Sequence, residues 1–135
     1  MADPDPEIWL GDDGIMRVQY PPNSHLTMNV MERIHRKHLE ISRVPCPILV
    51  RAESVASAEY EAQRFASRDD VAALVTGMAI IVKSAFTRAM ADLFMRFHKP
   101  PYPTRVFADE QSATAWLTQF LPADSVSSES GDNTA

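Results

Sequence analysis

The chain has 135 residues, 45% of them hydrophobic, and a net charge of -5, which suffices for one domain with its own core and excludes two ordinary ones. A lone Cys46 excludes an internal disulfide, no apolar run approaches the ~20 residues of a membrane helix, and residues 1–7 lack the basic and apolar parts of a secretory signal. All 13 Lys and Arg lie between Arg17 and Arg105, and their densest cluster, Arg33, Arg36, Lys37 and Arg43, reads as one solvated helix face rather than the basic stripe with interleaved aromatics of a nucleic-acid binder.

A reduced, cytoplasmic protein is therefore expected, with no membrane insertion and no nucleic-acid partner. The acidic start, residues 1–6, is expected to be flexible. Ile8 to Leu10 and Ile15 to Tyr20 are short β-prone runs around Gly11-Asp12-Asp13-Gly14, a composition that suits a tight hairpin turn. Pro21 and Pro22 stop the second run. From Leu26 the apolar positions Val30, Met31, Ile34 and Leu39 to Ile41 fall at helical spacing, with Ser24 or Thr27 as the cap. Pro45 ends that helix, and Ile48, Leu49 and Val50 read as a strand buried on both faces.

Ser57 precedes a segment of helix formers from Glu59 to Phe65 with acids in its first turn, which the helix dipole favours. A second short helix is expected from Asp69 to Val75, closed by Gly77, and then a buried strand from Met78 to Val82. Ser84 is placed as the N-cap of a helix burying Phe86, Met90, Leu93, Phe94 and Phe97, which Lys99 and Pro100 terminate. The prolines at 100, 101 and 103 hold the chain extended until Thr104 to Phe107 can join a sheet. Asp109 then caps a helix from about Glu110 to Leu121, in which Trp116 is expected to be largely buried. The Ser, Asp and Gly rich tail, 122–135, has no periodicity and is expected to be disordered. The resulting order, β-β-α-β-α-β-α-β-α over 7–121, implies an α/β fold with a largely parallel sheet of about five strands.

This order, together with Val82-Lys83-Ser84 leading to Phe97 and the run Lys99 to Glu110 followed by Trp116-Leu117, resembles the SpoIIAA-like, or STAS-like, bacterial proteins. More closely it is similar to a set of small bacterial proteins labelled STAS/SEC14-domain, over about Ile8 to Phe120. The resemblance implies a SpoIIAA/STAS-like fold and a non-catalytic regulatory or protein-interaction module. In the anti-sigma-factor antagonists of that superfamily, an Asp-Ser pair followed by Gly lies after the third strand, and the serine is phosphorylated. This chain carries Val55-Ala56-Ser57-Ala58-Glu59 there, without the Asp or the Gly.

Ser57 and Ser84 are thus the candidate phosphoacceptors or partner contacts, with plain N-capping as the simpler role for each. Phe86, Met90, Phe94 and Phe97 are the candidate ligand or interface residues, with ordinary core packing as their simpler role. Aromatics and Met at an interface core would suit self-association as a homodimer. A small apolar or lipidic ligand held between the Phe86 to Phe97 helix and the sheet is the alternative function. His35 and His38 share a helix face, but no third ligand completes a metal motif, so no metal is expected. Cys46, entering a buried strand between two prolines, reads as a small apolar residue. No Gly-rich phosphate loop or nucleophile elbow occurs, so neither a catalytic residue nor a cofactor is expected.

Overall fold

The computed structural model describes residues 6–53 and 55–121, with the side chains of all of these except Phe97 and His98. The tails expected to be flexible, 1–5 and 122–135, lie outside the described residues. Strands β1 (Glu7–Leu10) and β2 (Met16–Gln19) form the expected hairpin, in which Gly14 takes a φ of 85° that a side chain would strain. Helix α1 (Met28–Ile41) is capped by Thr27, whose hydroxyl accepts from the Val30 N–H, so Thr27 rather than Ser24 is the cap. Strand β4 (Cys46–Arg51) follows, and then a short strand β5 (Val55–Ala58), helix α2 (Tyr60–Phe65) and the single turn α3 (Asp69–Ala72). Strand β6 (Val75–Ile81), helix α4 (Ala85–His98), strand β7 (Thr104–Phe107) and helix α5 (Glu110–Leu117) complete the order, with one 3-10 turn over Thr118–Phe120.

Five strands form one sheet in the order β1-β2-β4-β6-β7, in which only the β1–β2 pair is antiparallel. This is the largely parallel sheet expected. The pleat sends alternate residues to opposite faces. Ile15, Leu49, Ala79 and Ile81 meet Ala113 and Leu117 of α5 in one core cluster. Met16, Val18 and Ile48 belong to the other face with Val30 and Ile34 of α1, while Ile80 and Val82 meet Ala91 of α4.

Four expectations are corrected. The sequence places Leu26 at the start of a helix, but Ser24–Leu26 is a strand, β3, that pairs in parallel with β5 as a separate two-stranded ribbon. Ser57 lies inside that ribbon, so it caps nothing; α2 begins two residues later behind Glu59, which makes no side-chain cap. Gly77 does not close a helix. It lies within β6, which starts at Val75, because the Phe120 ring crosses it and a Cβ there would stand 2.6 Å from that ring. Trp116 is half-buried, its ring wedged between Phe107 and Phe120 at centroid distances of 5.7 and 4.8 Å. The remaining caps are as read: Ser84 and Thr87 form a capping box, Asp109 accepts from Ser112 N–H, and Lys99 ends α4 in the left-handed region at φ 31°.

Candidate functional site

On the face away from α5, the sheet, the β3–β5 ribbon, α2 and α4 enclose an apolar cavity of about 350 Å³. Val50, Met78 and Ile80 of β4 and β6 form its floor. Leu26 and Ala58 of the ribbon and Ala62 of α2 supply one wall, while Phe86, Met90, Leu93 and Phe94 of α4 supply the other. The cavity exists because the residues of α2 and β5 that face α4 are largely alanines, which leave unfilled the space that larger side chains would take. Among the described residues, none that borders it is charged.

The cavity brings together four of the six residues singled out from the sequence, Ser57, Phe86, Met90 and Phe94. Ser84 stands behind it, holding Thr87 of the wall: Thr87 N–H donates to Ser84 Oγ at 3.1 Å, and Ser84 N–H donates back to Thr87 Oγ1 at 3.1 Å. Phe97 falls outside the described side chains. The expectation that α4 buries all of its apolar stripe is corrected, since Phe86 is 59% exposed and Leu93 50% exposed. The helix carries more apolar circumference than the sheet can cover. Ser57 is exposed at the edge of the cavity, and its hydroxyl lies 2.6 Å from His25 Nδ1, its register partner across the ribbon.

No local signal marks Tyr20, which follows β2, borders the cavity and is 4% exposed. Burial pushes its phenol pKa well up, so the hydroxyl stays neutral at every ordinary pH. An aromatic after a strand and before two prolines reads only as core, and its place at a cavity depends on elements far along the chain.

The charged groups gather elsewhere, on the α5 face. Arg17 pairs with Asp13 at 2.9 Å and with Glu110 at 3.3 Å, and Arg51 bridges Glu110 at 3.0 Å and Glu53 at 3.2 Å. Hydrogen bonding from Arg17 holds the Asp13 carboxyl below its usual range. This network ties the start of α5 to β2 and β4. His35 and His38 do not converge on one ligand: His35 Nε2 faces Asp70 at 3.5 Å, while His38 is buried with Nε2 unpaired among the described residues. Burial, then the charge of His35, pushes the His38 pKa down. Cys46 is buried in β4, and burial raises its thiol pKa, as a packed rather than reactive cysteine requires.

The model of the family described as Domain of unknown function (DUF7793) matches residues 8–121 of the chain. Among solved structures, the chain is similar to an uncharacterized protein of the DUF3478 family with a SpoIIAA-like fold from Shewanella loihica PV-4. They are 15% identical, with 87% of this chain and 98% of that one covered and a TM-score of 0.55. The fold is thus SpoIIAA-like, as the resemblance implied. A protein with unknown function from Arthrobacter sp. FB24 is 26% identical over 82% of this chain and 90% of its own, at a TM-score of 0.30. No curated protein matches.

Proposed function

We propose that this chain, which belongs to the DUF7793 family, is a non-catalytic binding module whose cavity holds a small apolar ligand between α4 and the sheet. The observation that carries the reading is the cavity itself, about 350 Å³ and walled by apolar side chains. That volume falls in the range of roughly 300 to 1,000 Å³ typical of small-molecule pockets. At roughly 30 Å³ for each non-hydrogen atom, as in liquid water, it admits a body on the order of ten atoms. The half-exposed Phe86 and Leu93 line its outer side, where side-chain rotation would admit a guest.

The test is organic extraction of the purified full chain followed by mass spectrometry, with titration of the emptied protein by the neutral fluorophore naphthalene. A releasable small molecule, or saturable fluorophore binding that Ala91→Leu weakens, is the expected result. An empty extract with no saturable binding sinks the reading.

A second reading rests on the exposure of Phe86 and Leu93. An apolar helix face in water fits a protein surface, and a second copy of this chain is the simplest partner, with Ser57 and Ser84 as partner contacts or phosphoacceptors at its edge. Light scattering across a concentration series checks it: a dimer that Phe86→Glu converts to monomer supports this reading, and a monomer throughout removes the homodimer.

A further inference from the structure

Among the described residues, four polar side chains border the cavity: Tyr20, Ser57, Gln63 and Thr87. Three already have hydrogen bonds within the protein. Ser57 pairs with His25, Gln63 Nε2 donates to the Ala58 carbonyl at 3.0 Å, and Thr87 is held in the capping box with Ser84. Tyr20 differs from all of them. Its hydroxyl has no partner among the described residues, although it is buried as deeply as Tyr102 of the same core cluster, whose hydroxyl donates to the Ala66 carbonyl at 2.8 Å.

A buried tyrosine normally finds a partner for its O–H, because a donor taken out of water unpaired lowers stability. Nor is the Tyr20 oxygen sealed from open space in the way that His38 Nε2 is. The open space that Tyr20 borders is the cavity. The orphan is therefore a neutral hydrogen-bond donor set in an apolar wall, the arrangement by which such pockets fix the orientation of a guest.

The same wall also excludes a class of guest. Among the described residues it carries no Lys, Arg or His, so a carboxylate or phosphate lodged there would give up its hydration with no countercharge from them. We infer that the cavity takes an uncharged apolar molecule bearing one hydrogen-bond acceptor, a carbonyl or ether oxygen, that receives the Tyr20 O–H; this rests on the ligand-binding reading above.

The experiment compares 1-tetralone with its hydrocarbon counterpart tetralin, and both with decanoate, on the full chain and on Tyr20→Phe, by calorimetric titration. The ring of Phe fills the place of the ring of Tyr, so the variant is expected to melt no lower than the parent. The expected result is a loss of about tenfold in affinity for 1-tetralone, the size of one ordinary hydrogen bond, with tetralin unchanged. In the unmutated chain, the infrared carbonyl stretch of bound 1-tetralone should fall below its value in hydrocarbon solvent, which reads the bond without any substitution. An unshifted stretch, or a ketone affinity that Tyr20→Phe leaves intact, overturns the assignment of Tyr20 while the cavity reading stands. Decanoate bound more tightly than 1-tetralone overturns the uncharged class. If neither tetralin nor 1-tetralone binds the parent protein, the ligand-binding reading falls and this inference falls with it.

Discussion

Against α5 the sheet presents Leu49, Ala79 and Ile81, and these meet Ala113 and Leu117 with almost no surface left accessible. Against α4 it presents Val50, Met78 and Ile80, neighbours of those same residues in the same strands, and these face Met90 and Phe94 across a cavity. The pleat turns neighbouring residues of these strands to opposite faces, and both of these sets are apolar. What separates them is the covering helix. Helix α5 comes close because Ala113 meets the sheet, and Phe107, Trp116 and Phe120 stack along its margin. Helix α4 packs on Ile80 and Val82 through Ala91, while Phe86, Met90 and Phe94 line the space beside it that the alanines of α2 and β5 leave open. One sheet thus provides a sealed face filled by its helix and a loose face that leaves a cavity beneath its helix.

The largest effect should come from opening the sealed face. Leu117→Ala should cost about 3 to 5 kcal/mol, the usual range for a fully buried leucine whose space cannot collapse, as read by chemical denaturation. A loss below about 1 kcal/mol would put α5 outside the core. Adding volume sharpens the contrast: Ala113→Leu should cost about 1 to 3 kcal/mol by overpacking, whereas Ala91→Leu, beside the cavity, should cost less than about 1 kcal/mol because space lies next to it. Equal losses would mean that the two faces are packed alike.

A smaller difference separates the two serines. Ser84→Ala should cost about 1 kcal/mol through loss of the capping box, and Ser57→Ala less than about 0.5 kcal/mol, since its hydroxyl caps no helix and is exposed. The slightest effect depends on pH and lies under α1 on the loose face. His38 binds its proton more weakly folded than unfolded, so the unfolded chain takes up more protons below about pH 6.5, the group's ordinary value, and stability should fall as pH drops from there. Melting curves from pH 7.5 to 5 should show this slope, and His38→Gln should flatten it. An unchanged slope would assign the proton uptake to other groups.

The sealed face is the more legible one, although Gly77 and Trp116, both beside Phe120 on that face, depart from what the sequence led us to expect. Asp109 as cap, the prolines before β7 and the apolar spacing of α5 are local signals, and each acts where it stands in the sequence. The loose face is assembled from signals that are not local. Strands β3 and β5 are three and four residues, mostly small or polar, held by parallel pairing with each other far along the chain and by the packing of Leu26 and Val55 into the core. Neither shows an alternation that could announce a strand. Gly77 carries the usual mark of an ending, and only the Phe120 ring, far along the chain, explains why a strand passes through it. The helical stripe of α4 was plain in the sequence, but how much of it the sheet would cover was not, because that depends on residues of α2 and β5 too small to reach it. Tyr20 had no signal at all, since an unmet hydroxyl is a property of surroundings rather than of spacing.

The single cysteine gives these faces a clock. Cys46 opens β4 with its backbone N–H bonded to the Leu74 carbonyl, its side chain enclosed and its thiolate disfavoured. A thiol dye can reach it only when the centre of the sheet parts, so the labelling rate counts openings of the core one molecule at a time. Any guest that binds the closed form alone must slow that count in proportion to its occupancy. A guest in the cavity would thus be read through one atom that does not line it.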